Sequence, residues 1–138
     1  MLEKILCVDD DAITLMLSKK VIAKMNFAQE ITTTKNGEEA IRYFDNLAEE
    51  LKDNPTLSYP KLVFLDLNMP VMNGWDFLED YIKKGHNNAF PLTKVIILSS
   101  TINPDDVSNS KKYPFVIDFL TKPISTEMLE NIKPLFSE

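Results

Sequence analysis

The chain has 138 residues, which is about the length of one domain and enough to bury a hydrophobic core without disulfides. Hydrophobic residues make up 44% and charged residues 26%, and 21 acidic residues against 15 basic ones give a net charge of −6. This acidic balance, with basic residues only in short pairs, argues against a nucleic acid or an anionic membrane surface as a partner. The first residues lack the charged start and long apolar stretch of a signal peptide, and no apolar run approaches the ~20 residues that cross a bilayer, so we expect a cytoplasmic protein.

Short apolar segments alternate with helical patterns along the chain. The residues expected to form strands are 5–8, 29–34, 62–65, 95–98 and 115–120. Between the first two strands, the spacing of Ile13, Leu17, Val21 and Met25 predicts an amphipathic helix that buries this stripe. Five strands alternating with helices predict an α/β fold in which helices cover both faces of a parallel sheet.

Local signals mark where several elements begin and end. Asn36 followed by Glu39 predicts a capping box, Asn103 before a proline predicts the N-cap of a short polar helix, and Ser125 caps the last helix. Two polar segments, 53–60 and 84–93, are expected to form loops. His86 lies in the second of these loops and is expected at the surface, and the single cysteine, Cys7, is expected in the core.

Polar side chains follow four of the five expected strands. Because ligands of a parallel sheet bind outside the carboxyl ends of its strands, we expect these side chains to form one site. The first strand is followed by Asp9, Asp10 and Asp11, the third by Asp66, the fourth by Ser99, Ser100 and Thr101, and the fifth by Thr121, Lys122 and Pro123.

This set of residue types indicates phosphoryl chemistry with a divalent cation. Clustered carboxylates repel one another unless a cation is present, and hard oxygen ligands suit Mg²⁺. An aspartate can act as a nucleophile and form an acyl phosphate, while a metal and a lysine neutralise the charge of the transferring group. For Asp11 two roles stay open, capping of the first helix and metal binding, and capping is favoured.

Four segments together resemble the response-regulator receiver domain of two-component signalling. They are ILCVDDD at 5–11, LDLNMP at 65–70 with Asn73-Gly74, LSS at 98–100, and Lys122-Pro123, and in this order they span essentially the whole chain. The resemblance implies a flavodoxin-like, doubly wound sheet of strand order 2-1-3-4-5. With this resemblance we expect residues 1–138 to form one receiver domain without an output domain, and the protein to be a single-domain response regulator.

The resemblance also implies a role for each matching residue. Asp66 would accept a phosphoryl group from a histidine kinase or a histidine phosphotransfer protein. Mg²⁺ would be bound by Asp10, Asp66 and the backbone carbonyl of Asn68, and by Asp9 through water.

On the phosphoryl side, Ser99 and Lys122 would bind the phosphoryl group, Ser99 and Phe119 would form the switch, and Pro123 would follow a cis peptide bond. Ser100 and Thr101 are alternatives for the hydroxyl position. A plain core aromatic is the alternative interpretation of Phe119.

Such a protein would signal through protein contacts on the face made by the fourth helix, fifth strand and fifth helix. It would catalyse only its own phosphoryl transfer and autodephosphorylation, so it would not be an enzyme in the usual sense. One alternative is a phosphorelay intermediate that passes the phosphoryl group to a downstream histidine. A haloacid-dehalogenase-type phosphatase is more distant, because Asn68 stands where that family needs a second acid. A flavodoxin is disfavoured by the three acids after the first strand, and a pseudo-receiver by the intact site residues.

Overall fold

The computed structural model describes residues 1–136. This part of the chain has five strands and six α-helices, which alternate except for two consecutive helices between the third and fourth strands. No helix in it is both long and apolar enough to cross a membrane. The elements are β1 (Leu2–Val8), α1 (Ala12–Lys24), β2 (Ala28–Thr34), α2 (Gly37–Asp53), β3 (Leu62–Asp66), α3 (Gly74–Lys83), α4 (His86–Ala89), β4 (Lys94–Ser99), α5 (Pro104–Ser110), β5 (Val116–Thr121), α6 (Thr126–Ile132) and a terminal 3-10 helix (Lys133–Phe136).

The strands form one parallel sheet in the order β2-β1-β3-β4-β5. The flavodoxin-like topology expected from the sequence is therefore confirmed. β3 is the central strand and is buried along its whole length, as its unbroken apolar sequence predicts for a strand covered on both faces. The carboxyl end of this buried strand is Asp66.

Each face of the sheet has its own hydrophobic core. Side chains alternate across a strand, so Ile5 and Cys7 of β1 face one core while Leu6 and Val8 face the other. The first core is completed by residues of α1 and α6, and the second by residues of α2 and α3. Cys7 is 3% exposed, which confirms its expected place in the core.

The helix starts follow the sequence signals closely. The side chain of each predicted N-cap accepts a hydrogen bond from a backbone N–H in the first turn of its helix. These N-caps are Asp11, Asn36, Asn103 and Ser125, which begin α1, α2, α5 and α6. For Asp11 this geometry confirms the capping role.

The predicted buried stripe of α1 is wrong in its first half, whereas Val21 and Met25 in its second half are partly buried and pack against the core. Ile13 is 65% exposed and Leu17 is 43% exposed, whereas Ser18 and Ile22 are buried against the sheet. Apolar residues occupy more than one face of this helix, so their spacing does not determine which face packs inward. The helix contacts the core through the face that lies one residue further along, and a serine occupies a buried position.

The surface position predicted for His86 is also wrong. The segment 84–93 contains the one-turn helix α4, and His86 at its start is 4% exposed. Its Nε2 lies 2.8 Å from Oδ1 of Asp45 on α2, a partner 41 positions earlier in the chain. The imidazole ring is surrounded by the rings of Phe44, Tyr81 and Phe90. A polar segment thus contributes a core residue because a distant carboxylate satisfies its imidazole.

Candidate functional site

The register of the sheet brings the polar strand ends to one edge. Because paired residues of parallel strands lie side by side, the residues that directly follow each pair are also neighbours. The pairs that define this edge are Val8 with Leu65, Asp66 with Leu98, and Ser99 with Thr121.

Three carboxylates converge at this edge. One oxygen from each of Asp9, Asp10 and Asp66 lies within 4.8 Å of the others. Asp9 and Asp66 are buried, while Asp10 is exposed. Asp11 points instead to α1, where backbone hydrogen bonds from Ile13 and the next residue hold the pKa of its carboxyl below the ordinary range.

The two buried carboxylates share one cation. Nζ of Lys122 lies 2.7 Å from Oδ2 of Asp9 and 3.2 Å from Oδ1 of Asp66. Burial lowers the pKa of Lys122, but the two carboxylates outweigh this effect and the pKa is raised, so the ammonium stays charged. For Asp66, burial and the nearby charge of Asp9 raise the pKa in spite of Lys122. No pattern in the sequence predicts that Asp9 is the nearer partner of Lys122.

The backbone around Asp9 fixes its carboxylate. Its N–H donates to the carbonyl oxygen of Thr34 on β2 at 3.1 Å, and its Oδ1 accepts the N–H of Asp11 at 2.9 Å. Asp9 is therefore held by the neighbouring strand on one side and by the start of α1 on the other. This leaves Oδ2 for Lys122.

The backbone after Asp66 is tightly packed against Gly74, the first residue of α3. The Gly74 N–H donates to the carbonyl oxygen of Leu67 at 3.0 Å and closes the loop. A Cβ at Gly74 would lie 2.6 Å from the carbonyl oxygen of Asp66 and 2.9 Å from Cα of Leu67, so only glycine fits without moving the strand end. Within the loop, the N–H of Asn68 lies 3.5 Å from Oδ1 of Asp66.

The other sequence-predicted residues also lie at or near this edge. Ser99 is buried at the end of β4, while Ser100 and Thr101 are exposed, and the Thr101 N–H lies 3.4 Å from Oγ of Ser99. The N–H of Lys122 donates to the carbonyl oxygen of Ser99 at 2.8 Å, and the Lys122–Pro123 peptide bond is cis. Phe119 is half-buried on β5 and packs against the core on the α2 and α3 side.

The donor set fits a Mg²⁺ ion. Mg²⁺ prefers oxygen ligands, takes one or two carboxylates and keeps several water molecules. Here two carboxylates are buried and rigidly placed, and the third, from Asp10, is exposed at the solvent side where water can remain. Three carboxylates with one lysine also leave the cluster with a net negative charge, which a divalent cation would offset.

A doubly wound sheet of this order is a flavodoxin-like fold, and here it carries acids and a lysine at the carboxyl ends of its strands. The sequence model of the response regulator receiver domain matches residues 5–133, and the chain belongs to this family. Receiver domains interact with histidine kinases or phosphotransfer proteins, generally bind Mg²⁺ at an acidic pocket, and are generally signalling modules without enzymatic activity.

Individual relatives agree with this assignment. The chemotaxis protein CheY of Thermotoga maritima is 31% identical over 121 residues, which are 88% of this chain and 86% of that protein. The structure of a two component response regulator from Cytophaga hutchinsonii matches with a TM-score of 0.82 at 26% identity, covering 97% of this chain and 96% of that one. The protein-glutamate methylesterase/protein-glutamine glutaminase of Bacillus subtilis is 27% identical, but the match covers 94% of this chain and only 32% of that longer protein.

Proposed function

We propose that this receiver domain works as a cytoplasmic response regulator that accepts a phosphoryl group on Asp66 in a Mg²⁺-dependent reaction. The donor would be the phosphohistidine of a histidine kinase or of a phosphotransfer protein. The observation that carries this proposal is the position of Asp66. It ends the central buried strand, within 4.8 Å of two further carboxylates and 3.2 Å from the Lys122 ammonium.

In the proposed reaction, a carboxylate oxygen of Asp66 attacks the phosphorus of the donor. A phosphorus–oxygen bond forms, the phosphorus–nitrogen bond of the phosphohistidine breaks, and the imidazole leaves and takes up a proton. Mg²⁺ would be held by Asp10, Asp66 and the carbonyl of Asn68, with Asp9 acting through water, and when bound it neutralises charge on the phosphoryl oxygens. Burial and then the nearby charge of Asp9 raise the pKa of Asp66, and a bound cation would oppose both effects.

Two side chains of the neighbouring strands would recognise the phosphoryl group. Lys122 already pairs with Asp66 and would pair with a phosphoryl oxygen, while the hydroxyl of Ser99 would donate to another. The protein's chemistry would be limited to its own phosphoryl transfer and autodephosphorylation. Because the Lys122 ammonium already lies close to both Asp9 and Asp66, it would reach a phosphoryl group on Asp66 by a small displacement.

The output would be a phosphorylation-dependent contact on the face formed by α5, β5 and α6. These are the elements expected from the sequence as the fourth helix, fifth strand and fifth helix, because the one-turn α4 adds one to the count. α5 has only seven residues, and Val107 is its one aliphatic side chain. A helix with so few apolar contacts shifts at low free-energy cost, so a change at Ser99 can alter this face.

The proposal is tested with acetyl phosphate and Mg²⁺ as donor and cofactor. We expect the parent protein to gain one base-labile phosphoryl group and Asp66→Asn to gain none, because the amide is not a nucleophile. Asp53→Asn, which changes an exposed acid at the end of α2, is the matched control and should react like the parent. Equal incorporation by Asp66→Asn and the parent would show that the phosphoacceptor is another residue.

A further inference from the structure

The loop that follows Asp66 is held from outside by the first residue of α2. The Gly37 N–H donates to the carbonyl oxygen of Met72 at 2.9 Å. The N–H of Met72 itself donates to the carbonyl oxygen of Pro70 at 2.8 Å. Both backbone groups of Met72 are therefore used, one within the loop and one by a helix from another part of the chain.

The contact at Gly37 leaves no room for a side chain. A Cβ there would lie 2.8 Å from the carbonyl oxygen and 2.8 Å from Cγ of Met72, and 3.1 Å from the carbonyl oxygen of Asn73. The methionine side chain can rotate away, but the two carbonyl oxygens can move only with the loop. α2 cannot retreat easily either, because Ala40 and Phe44 fix its first turns in the core.

The same loop contains a strained residue next to Met72. Val71 has a φ of 70°, which places a β-branched residue in the left-handed region. Such a conformation is unfavourable for a residue with a Cβ and persists only where surrounding contacts impose it. Since the side chain of Val71 is 77% exposed, the contacts that impose it are those of the backbone on either side. The bond from Gly37 to Met72 is one of these.

We propose that Gly37 is a positioning residue for the Asp66 site. Its missing side chain lets the start of α2 contact the loop of residues 67–73 directly and hold it in a strained conformation. That loop carries Asn68, whose carbonyl is a proposed Mg²⁺ ligand, and closes on the backbone of Asp66 at Gly74. The inference rests on the proposed function, because it concerns the metal affinity of that same site.

The test compares Gly37→Ala with Gly85→Ala. Gly85 has a φ of 77° with no atom within 4 Å of its would-be Cβ, so Gly85→Ala destabilises the fold by backbone strain alone, at the opposite end of α3 from the loop. We expect Gly37→Ala to raise the Mg²⁺ dissociation constant roughly tenfold or more, as the loss of a contact that positions a metal ligand typically does. Gly85→Ala should bind Mg²⁺ like the parent. Binding is followed by the fluorescence of Trp75, the one tryptophan of the sequence, and by the melting temperature.

Equal Mg²⁺ affinity in the two alanine variants would overturn the positioning role of Gly37. If the parent protein itself shows no response to Mg²⁺, the proposed function fails, and this inference fails with it. The two failures are therefore distinguishable by the parent protein alone.

A second measurement needs no variant and serves if Gly37→Ala does not fold. By thermodynamic reciprocity, a contact that strengthens metal binding is itself strengthened by the metal. Mg²⁺ should therefore slow hydrogen exchange at the Gly37 amide, although this amide belongs to a different element from every proposed ligand. Unchanged exchange at Gly37, with slowed exchange near Asp66, would contradict the proposal.

Discussion

Lys122 lies closer to Asp9 than to the proposed phosphoacceptor: its Nζ is 2.7 Å from Oδ2 of Asp9 and 3.2 Å from Oδ1 of Asp66. The buried carboxylates of Asp9 and Asp66, which share this one ammonium, would repel each other in its absence. Lys122 therefore has a structural role in the unphosphorylated protein, because its ammonium pairs with two buried carboxylates.

Replacing this lysine should destabilise the metal-free protein. We expect Lys122→Met to lower the free energy of unfolding by about 1–3 kcal/mol, because it leaves two buried charges without a partner. Lys84→Met is the matched control. Its pair with Asp45 is more exposed, so the loss should stay within about 1 kcal/mol. Urea unfolding of both variants checks this, and equal losses would mean that the Lys122 pairs add little to stability.

Mg²⁺ should stabilise the parent protein through Asp10. A ligand that binds only the folded state at about ten times its dissociation constant adds roughly 1.4 kcal/mol to stability. Asp10→Ala should abolish this gain, and since Asp10 is exposed, the metal-free fold should be little affected. Thermal melts with and without Mg²⁺ are the measurement. A full Mg²⁺ response in Asp10→Ala would remove Asp10 from the ligand set.

Phe119→Ala should separate phosphorylation from its output. A phosphoryl group adds about −1.5 to −2 charges at the sheet edge, and we expect Ser99 to move toward it and the Phe119 ring to turn inward. Beryllofluoride should therefore change hydrogen exchange over residues 103–120 in the parent but not in Phe119→Ala, while Asp66 still reacts.

The control for that experiment is Phe115→Ala, because Phe115 is also partly buried against the same core. It creates a similar loss of packing and should keep the response to beryllofluoride. An unchanged exchange pattern in the parent protein would mean that Phe119 is only a core residue.

The charged carboxylate of Asp45 should contribute to the free energy of unfolding at neutral pH, and this contribution should be lost in acid. Burial raises the pKa of its carboxyl, but hydrogen bonds from Lys84 and His86 outweigh burial and hold the pKa below its ordinary value. A lowered folded-state pKa means that the contribution is present above about pH 4 and disappears as the pH falls through the folded-state value. Asp45→Asn should cost about 0.5–1 kcal/mol at neutral pH and remove this acid-side loss.

Urea unfolding between about pH 2.5 and about pH 7, a range that includes the acid-side transition and neutral pH, measures the Asp45 contribution. Asp53→Asn, on the same helix but exposed at its end, should keep the parent's profile. Parallel profiles for Asp45→Asn and the parent would show that the contacts to Lys84 and His86 do not favour the charged form.

Val71→Gly should stabilise the protein. Glycine adopts a φ of 70° without strain, although it also makes the unfolded chain more flexible, so the net gain should be about 0.5–1 kcal/mol. Val71→Ala removes the branched side chain but keeps a Cβ, and should gain less. Chemical unfolding of the two variants decides the matter, and a larger gain for alanine would place the strain in the side chain.

Most of the fold could be predicted because its signals are local. The caps at Asn36 and Ser125 act on backbone groups within three residues, and the parallel topology alone brings the ends of β1 and β3 together. Ser99 is favoured over Ser100 and Thr101 because it directly follows the apolar residues of its strand, and in the structure it is buried at the end of β4.

The failures concern contacts between residues far apart in the sequence. Which face of α1 is buried depends on the sheet beneath it, so Ile13 faces solvent where spacing predicted the core. His86 is buried because of Asp45, and the pairing of Lys122 with Asp9 depends on side-chain directions at two strand ends. None of these relationships leaves a pattern in the local sequence.

The burial of Cys7 has a practical consequence. It is the one cysteine of the sequence, and burial in the core raises the pKa of its thiol to about 12. Since the thiolate is the form that reacts with maleimides, the folded protein should resist alkylation at Cys7. A cysteine introduced at the exposed Ser108 of α5 would then be labelled selectively. Fluorophores or spin labels can therefore report on this helix in an otherwise native chain, with no need to remove a cysteine first.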